Sequence, residues 1–236
     1  MKIGIITQAR TGSKRLPKKV LKKINDLTFL QIHLRRVIKS KLANIYIVAT
    51  TDSKKDDIIC NLSINEGFKV YRGSEDDVLD RYYKAAKENK IDVIVRLTSD
   101  CPLIDPELID IIIQKHLLYK KDFTSNVTER TFPDGLDVEV FNFKILEKAW
   151  VNSKNNSDRE HVTHYIWKNE KIFTNYCFKN KVDYSKYRLT LDYPEDLKLF
   201  KSLIKKIGYK NHWTDYVELI KNNNSLYQIN KSRIIN

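Results

Sequence analysis

Residues 3–19 have the sequence IGIITQARTGSKRLPKK, an apolar run followed by small and basic residues. The run from Ile3 to Thr7 is typical of a parallel strand that is covered on both faces. Ligands of open α/β sheets bind beyond the carboxyl ends of the strands. We therefore expect the segment from Gln8 to Lys19 to be a ligand-binding loop; the alternative is a basic surface loop.

Apolar runs alternate with helical patterns over the first half of the chain. The predicted strands are residues 3–7, 45–49, 68–71 and 91–97, and the predicted helices are residues 27–42, 56–66 and 76–89, followed by a helix opened by Asp105-Pro106. Aspartate at the N-cap and proline at the first helical position are common helix starts. The alternation predicts an α/β fold in which helices flank a mostly parallel, Rossmann-like sheet.

The pattern changes after about Tyr119. Predicted strands lie at residues 136–140, 172–178 and 189–191, and predicted helices lie at residues 144–151, 159–167 and from Pro194 onward. We expect one domain over residues 1–221, with a small α+β extension at about residues 122–188 that rejoins the sheet. Residues 222–236 are rich in Asn and Lys, and we expect them to form a loosely held tail.

The composition argues against several classes of protein. No run of about 18 apolar residues is present, so we expect no membrane span, and the first apolar stretch is too short for a signal peptide, which predicts a cytoplasmic protein. The three cysteines, Cys60, Cys101 and Cys177, have the spacing of neither a disulfide framework nor a metal site. The net charge is +13, but basic and acidic residues are interleaved, which favours a compositional bias over nucleic-acid binding.

The loop after the first strand has the residue types that hold phosphate groups. Small residues let backbone N–H groups approach a phosphate, and arginine offers a bidentate fork. The small residues are Ala9, Gly12 and Ser13, and the basic ones are Arg10, Arg15 and Lys19. The segment matches neither the GxxxxGK[ST] nor the GxGxxG pattern.

Two aspartates follow predicted strands in the same way. Asp100 comes after the strand at residues 91–97, and Asp192 comes after the strand at residues 189–191. Carboxylate oxygens are ligands of Mg²⁺ beside phosphates. We expect the two carboxylates to share one metal ion; the alternative for Asp192 is a helix cap before Pro194.

Six stretches, spread in order over residues 2–205, resemble the cytidylyltransferase family that includes the CMP-Kdo and CMP-sialic acid synthetases. The stretches are QARTGSKRLP (8–17), YRGSEDDVLDR (71–81), DCPLID (100–105), TFPDGLDVEVF (131–141), DREHVT (158–163) and LDYPEDL (191–197). Within this family, the chain is most similar to the spore-coat polysaccharide biosynthesis protein F group.

The resemblance implies a glycosyltransferase-A-like nucleotidyltransferase fold, CTP as the nucleotide donor, Mg²⁺ as the cofactor, pyrophosphate as a product and a homodimer. It implies that Arg10, Ser13 and Lys19 bind the triphosphate, that Gly73 and Ser74 contact the nucleoside, and that Asp100 and Asp192 bind the metal. Ala9, Gly12, Arg15 and Asp100 complete the predicted nucleotide site. The predicted catalytic residues are Arg10, Lys19, Asp100 and Asp192.

The expected reaction transfers CMP to a sugar acid of the ulosonic type, for surface polysaccharide or glycan synthesis. The candidate acceptor contacts are Asp134, Asp137, Glu139, Arg159 and His161. Ulosonic-acid synthetases often carry Asn where Val20 follows Lys19, and residues 130–165 also depart from them. A phosphorylated sugar or polyol, giving a CDP-linked product, is therefore an alternative acceptor. Alternatives of other classes are a nucleotide-sugar-dependent glycosyltransferase and a non-catalytic nucleotide sensor.

Two further motifs have structural alternatives. The segment from Glu75 to Arg81 can line the nucleotide cleft, or its acids can stabilise a helix start while Asp77 pairs with Arg81 four residues later. His161 and His164 lie three residues apart on the predicted helix 159–167. Without a third ligand they are not expected to bind zinc.

Overall fold

The computed structural model describes residues 1–234, and its strands and helices alternate along the first half of the chain. The strands are β1 (Ile3–Gln8), β2 (Lys23–Ile24), β3 (Leu27–Thr28), β4 (Ile45–Thr51), β5 (Lys69–Gly73), β6 (Val93–Thr98), β7 (Phe123–Ser125), β8 (Glu139–Asn142) and β9 (Asn175–Cys177). The helices are α1 (Phe29–Val37), α2 (Asp57–Asn65), α3 (Val78–Glu88), α4 (Pro106–Tyr119), α5 (Phe143–Asn152), α6 (Asn156–Glu160), α7 (His164–Lys168), α8 (Pro194–Ile207), α9 (Trp213–Lys221) and α10 (Asn224–Asn230). Short 3-10 turns lie at Lys19–Leu21, Lys54–Asp56 and Lys231–Arg233.

Seven strands form one sheet in the order β5-β4-β1-β6-β8-β7-β9. β1 is parallel to both of its neighbours, β4 is parallel to β5, and β9 is parallel to β7. Only β8 runs against its neighbours β6 and β7 among the described strands of this sheet. The predicted α/β fold with a mostly parallel, Rossmann-like sheet is therefore confirmed, and β7, β8 and β9 of the second half extend the same sheet.

The strand order reverses at β1. The chain moves outward from β1 to β4 and β5, and it then returns to the other side of β1 to form β6. In open α/β sheets this reversal opens a crevice at the carboxyl ends of the two strands, where ligands bind. The residues after β1 and β6 are therefore the ones that the topology brings to a ligand site.

Two apolar clusters cover the two faces of the sheet. Successive side chains of a strand point to opposite faces, and accordingly Ile5 belongs to one cluster and Ile6 to the other. Helices α1, α4, α8 and α9 pack on the face of Ile5, while α3 and α5 pack on the face of Ile6. This burial on both faces explains why the first strands are continuous apolar runs.

Two predicted helices differ from their patterns, one in its length and one in its continuity. Helix α1 begins at Phe29, with Thr28 and Gln31 forming a capping box, and it ends at Val37. The predicted helix 159–167 is two short helices, α6 and α7, because Val162 has a left-handed backbone conformation with φ 54°. A β-branched residue rarely adopts this conformation, so the interruption has no signal in the hydrophobic pattern.

The predicted strand at residues 189–191 is not part of a sheet ladder. Its backbone N–H groups bond to loops instead, from Leu191 to the Asp100 carbonyl at 2.7 Å and from Leu189 to the Asp134 carbonyl at 2.5 Å. Gly135 makes the second contact possible, because its φ is +107° and a Cβ there would overlap the Leu189 carbonyl. The predicted strand at residues 136–140 likewise begins only at Glu139.

The predicted tail is packed over most of its length. Helix α10 lies against α8 and α9, and Leu226 and Asn230 are buried. The Asn230 amide donates to Asp196 Oδ1 at 2.9 Å and to the Arg188 carbonyl at 3.2 Å. The prediction of loose packing is therefore wrong for these residues, and its last two positions, 235 and 236, lie outside the described residues. No helix within residues 1–234 is long and apolar enough to cross a membrane.

Candidate functional site

A cleft of about 550 Å³ lies at the carboxyl ends of β1 and β6. The loop after β1 forms one wall, and residues of α3 and of the end of β6 contribute to the rest of the lining. All the predicted loop residues line it: Ala9, Arg10, Gly12, Ser13, Arg15 and Lys19. Asp100, Asp192 and His161 line it as well. The topology thus brings together residues from distant parts of the chain, from Gln8 to Asp192.

Lys19 joins the two predicted metal-binding aspartates. Its ammonium nitrogen lies 2.8 Å from Asp100 Oδ2 and 2.6 Å from Asp192 Oδ1. Burial opposes the charge of Lys19, but the two carboxylates raise the pKa of Lys19 above its ordinary value. Burial also opposes the charge of Asp100, and the Lys19 ammonium nevertheless lowers the pKa of Asp100 to about 2. Lys19 and Asp100 are therefore both charged at neutral pH.

Two further arginines approach Asp192. Arg15 Nη2 lies 2.8 Å from Asp192 Oδ2, and Arg188 Nη2 lies 3.5 Å from the same oxygen. Arg15 also stacks over the Tyr193 ring at 4.7 Å. Arg188 is in turn held by Asp196 at 3.1 Å. Asp192 is thus fixed by side chains from the loop after β1 and from its own segment.

The loop after β1 is anchored at Asp56, which the sequence reasoning did not identify. Asp56 Oδ1 accepts hydrogen bonds from the Thr11 backbone N–H at 2.8 Å and from the Thr11 hydroxyl at 2.6 Å, while Oδ2 accepts one from Thr51 at 2.5 Å. Within the loop, the Ser13 hydroxyl donates to the Leu16 carbonyl at 2.6 Å. Topology could have indicated this role of Asp56, because Asp56 follows β4 at the same edge of the sheet as the loop after β1.

Gly73 and Ser74, the predicted nucleoside contacts, lie beside the cleft and not in its lining. Gly73 ends β5 and packs against Arg81, so closely that a Cβ at Gly73 would lie 2.9 Å from Arg81 Cγ. Glu75 approaches the loop, with Arg10 Nη1 3.4 Å from Glu75 Oε1. The end of β5 is therefore next to the loop after β1.

Four of the five predicted acceptor contacts are engaged with other side chains. Asp137 accepts two hydrogen bonds from Arg130, of 2.6 and 3.0 Å, and Asp134 Oδ2 lies 2.5 Å from Arg188 Nη1. Glu139 pairs with Arg96 and accepts a hydrogen bond from the Thr163 hydroxyl at 2.6 Å. Arg159 pairs with Asp77 at 2.5 Å. Burial raises the pKa of Asp134. Of the five, only His161 lines the cleft. The predicted pair of Asp77 with Arg81 is wrong, because Asp77 binds Arg159 instead and caps α3.

Three further residues, from α3, β6 and α6, line the cleft, although none of them was predicted individually as a site residue. These are Arg81, Arg96 and Glu160. The segment from Glu75 to Arg81 was predicted either to line the nucleotide cleft or to stabilise a helix start, and Arg96 was predicted to lie in a strand. Glu160 lies between Arg159 and His161, Arg96 lies four residues before Asp100, and Arg81 ends a segment predicted to line the cleft. This proximity was the signal that could have found them.

His33 holds the segment around Asp100 in place through a hydrogen bond to the following residue. Its imidazole is fully buried in α1, with Nε2 2.9 Å from the Thr7 hydroxyl and Nδ1 2.9 Å from the Cys101 carbonyl. Burial lowers the pKa of His33 to about 4, so the ring is neutral at neutral pH. It connects β1 with the residue that follows Asp100.

Asp100 and Asp192 are the residues that fit a divalent cation. Both carboxylates already contact one positively charged atom, the Lys19 nitrogen, so their oxygens are close enough to share a cation. Mg²⁺ is commonly held by one or two carboxylates together with phosphate oxygens. Within residues 1–234 there is no group of three or more His, Cys, Asp or Glu side chains arranged to hold a metal, so the phosphates would have to complete the coordination.

Comparisons with known proteins agree with this geometry. A family model described as cytidylyltransferase matches residues 3–232. An uncharacterized protein of Methanocaldococcus jannaschii is 47% identical over 214 residues, 89% of this chain and 86% of that protein. The spore coat polysaccharide biosynthesis protein SpsF of Bacillus subtilis is 37% identical over 213 residues, 87% of this chain and 88% of that protein. A 3-deoxy-manno-octulosonate cytidylyltransferase of Chlorobaculum parvum is 36% identical over 115 residues, 48% of this chain and 45% of that protein.

A solved structure has the same fold over almost the whole chain. It is a cytidylyltransferase from Leptospira borgpetersenii, with a TM-score of 0.93, 39% sequence identity and coverage of 97% of each chain. The resemblance found in the six stretches of sequence is thus confirmed along the chain. This chain belongs to the cytidylyltransferase family, and it is a nucleotidyltransferase.

Proposed function

We propose that the chain transfers CMP from CTP to a sugar acid of the ulosonic type, with release of pyrophosphate, in the synthesis of a surface polysaccharide. The observation that carries the proposal is the Lys19 ammonium held between Asp100 and Asp192 in a cleft walled by a basic loop. The named relatives support the product: one takes part in spore coat polysaccharide biosynthesis, and another is a 3-deoxy-manno-octulosonate cytidylyltransferase. The family resemblance supports a homodimer acting in the cytoplasm.

In the proposed reaction an acceptor oxygen attacks the α-phosphorus of CTP. A new P–O bond forms as the acceptor hydroxyl releases its proton to water, the bond between the α-phosphorus and the bridging oxygen breaks, and pyrophosphate leaves with that electron pair. Such transfers depend mainly on positioning and on neutralising charge. Arg10, Arg15 and Lys19 supply positive charge from one wall of the cleft, where the leaving pyrophosphate develops negative charge.

We also propose that Asp100 and Asp192 hold Mg²⁺ when CTP is bound. The bound ion would neutralise phosphate oxygens and help to orient them. The protein's own contribution is to fix the two carboxylates. Leu191 donates its backbone N–H to the Asp100 carbonyl at 2.7 Å, and Arg188 restrains Asp192.

For the acceptor, we propose His161 as the contact inside the cleft and Arg159 as the residue that positions it. Arg159 binds Asp77 at 2.5 Å and the Trp150 carbonyl at 2.8 Å, which holds α6 against α3. Val162, which directly follows His161, has a left-handed backbone conformation. Backbone strain of this kind is often found at ligand sites. Asp134, Asp137 and Glu139 hold the arginines around the site in this proposal.

The proposal is tested by measuring pyrophosphate release from each of the four nucleoside triphosphates with Mg²⁺ and a panel of acceptors. The panel contains ulosonic acids, sugar phosphates and polyol phosphates. Release that requires both CTP and an ulosonic acid supports the proposal. Release with a phosphorylated acceptor alone would replace the sugar acid by that acceptor class. CTP binding without turnover on any acceptor would contradict catalysis of this transfer.

A further inference from the structure

The ring of Tyr193 is surrounded by three arginine side chains. The guanidinium carbons of Arg233, Arg15 and Arg188 lie 4.3, 4.7 and 5.7 Å from its centroid. A cation within about 6 Å of an aromatic ring centroid is attracted to the ring face. The arginines come from the last 3-10 turn, from the loop after β1 and from the segment that leads into α8. Tyr193 thus connects three distant parts of the chain beside the cleft, without being part of the cleft lining.

Two of these arginines are held by carboxylates that do not line the cleft. Arg188 is buried, with its guanidinium 2.5 Å from Asp134 and 3.1 Å from Asp196. Arg233 lies 3.0 Å from Glu195, in the first turn of α8. The tyrosine ring is therefore restrained by two cations whose own positions are fixed by ion pairs.

Arg15, the third arginine, is held by two contacts at the edge of the cleft. Its Nη2 lies 2.8 Å from Asp192 Oδ2, and its Nη1 donates to the Tyr193 hydroxyl at 3.0 Å. The other oxygen of Asp192 lies 2.6 Å from the Lys19 ammonium, so both oxygens are engaged by cations. The side chain of Arg15 is 57% exposed and that of Lys19 is 16% exposed. Arg15 is thus the cation that can leave Asp192 more readily.

The proposed nucleotide complex affects only one of the two contacts of Arg15. Asp192 would then hold Mg²⁺, and a carboxylate oxygen that binds Mg²⁺ is less available to a guanidinium. The ring and hydroxyl of Tyr193 are available to Arg15 in both states. An arginine that is restrained before it meets a phosphate loses less rotamer freedom on binding. A contact that persists with Tyr193 would therefore favour binding of the triphosphate.

We propose that Tyr193 is a positioning residue that holds Arg15 at the phosphate end of the cleft when the nucleotide binds. This inference rests on the proposed function. Arg15 lines the cleft and Tyr193 does not, so Tyr193 acts on the ligand through Arg15. The ring stacks on the guanidinium and the hydroxyl accepts one of its N–H groups. Phenylalanine at this position would retain the stacking contact, and leucine would retain neither contact.

The test measures the Kd of CTP, inorganic tripolyphosphate and CMP for the full chain with Mg²⁺, by calorimetry. The variants are Tyr193→Leu, Tyr193→Phe, Arg15→Met and the chain that carries both Tyr193→Leu and Arg15→Met. An exposed cation–π contact contributes roughly 0.5–1 kcal/mol. We therefore expect Tyr193→Leu to raise the Kd of CTP and of tripolyphosphate by about 2- to 5-fold. The Kd of CMP, which lacks the β- and γ-phosphates, should change little.

The double variant separates positioning from a structural role. If Tyr193 acts through Arg15, then Tyr193→Leu has no further effect on the Kd once Arg15→Met is present. Tyr193→Phe keeps the ring, and it should bind tripolyphosphate within about twofold of the unmodified chain. The control is Tyr209→Leu, a half-buried tyrosine outside the cleft lining with Lys210 5.9 Å from its ring. This variant should match the unmodified chain.

Three results would overturn the inference. Losses of equal size from Tyr193→Leu with and without Arg15 would make Tyr193 structural, and so would an equal loss of CMP affinity. Unchanged affinity for tripolyphosphate in Tyr193→Leu would show that Arg15 does not need the ring. Failure of the unmodified chain to bind any of the three probes would instead contradict the proposed function itself.

Discussion

Lys19 fills the space between the two carboxylates that would otherwise attract a cation. With its nitrogen 2.8 and 2.6 Å from Asp100 and Asp192, it neutralises them in the free protein. We predict that Lys19→Met lowers turnover by about 10²- to 10³-fold, as the loss of a single charge-stabilising donor typically does. The same change should tighten binding of Mn²⁺, used as a spectroscopic substitute for Mg²⁺, in the absence of nucleotide.

Lys18→Met is the matched control for this prediction, because Lys18 is the exposed neighbour of Lys19 and does not line the cleft. Its turnover and Mn²⁺ affinity should match those of the unmodified chain. Electron paramagnetic resonance measures free Mn²⁺ directly and does not depend on activity. Weaker Mn²⁺ binding by Lys19→Met than by Lys18→Met would contradict the view that Lys19 competes with the metal.

His33 predicts a pH dependence of stability. Its pKa is about 4 in the folded chain, below the ordinary value of 6.5, because burial disfavours the charged ring. Between these values the unfolded chain binds the proton and the folded chain does not, so stability falls as the pH falls from about 6.5 to 4. The full loss is on the order of 3 kcal/mol. Urea unfolding from pH 7.5 to 4.5 should show a smaller loss for His33→Gln, and equal slopes for the two proteins would exclude this role.

At the scale of elements, the hydrophobic patterns predicted the strands and helices whose positions are determined by burial in the core. Ile3, Ile5 and Ile6 form β1 because both of their faces are buried, and the pattern contains that information. The break at Val162 was not predictable, because it depends on contacts such as the Thr163 hydroxyl on Glu139 at 2.6 Å. The anchoring of the site loop by Asp56 was missed for the same reason, since its partners Thr11 and Thr51 lie far apart in sequence.

Helix α10 gives a prediction at this scale. Asn230 is buried and bonds both to Asp196 and to the Arg188 carbonyl, and these residues restrain Asp192. We predict that Asn230→Ala lowers the free energy of unfolding by about 1–3 kcal/mol, because polar groups are left without a partner. It should also reduce nucleotide affinity through the displaced Asp192. Gln228→Ala, at an exposed position on the same helix, should change neither quantity, and equal effects of the two changes would contradict this role of α10.

At the scale of the whole molecule, the site depends on the second half of the chain returning to the first. The alternation of strands and helices predicted the sheet, and the residues after β1 and β6 were predicted from the carboxyl-end rule. The route by which Asp192 reaches Asp100 was not predicted, because the segment 189–191 uses loop carbonyls in place of a sheet ladder. Hydrophobic periodicity does not encode that kind of contact.

Gly135 is the residue on which this return depends most directly. Its φ of +107° disfavours other residues, and a Cβ would overlap the Leu189 carbonyl, a backbone atom that cannot turn aside. Gly208 is a matched control, with φ +77° and no heavy atom within 4 Å of a built Cβ. We predict that Gly208→Ala costs about 1 kcal/mol from backbone strain alone.

Gly135→Ala adds the overlap to the strain, and we expect a loss above about 3 kcal/mol, among the larger effects of single changes. Displacing Leu189 also shifts Leu191, whose N–H bonds to the Asp100 carbonyl, so nucleotide affinity should fall in the molecules that still fold. Chemical denaturation measures the first effect and calorimetry with CTP and Mg²⁺ the second. If Gly135→Ala and Gly208→Ala lose equal stability and Gly135→Ala retains full affinity, then the close approach of Gly135 to Leu189 does not hold Asp192 in place.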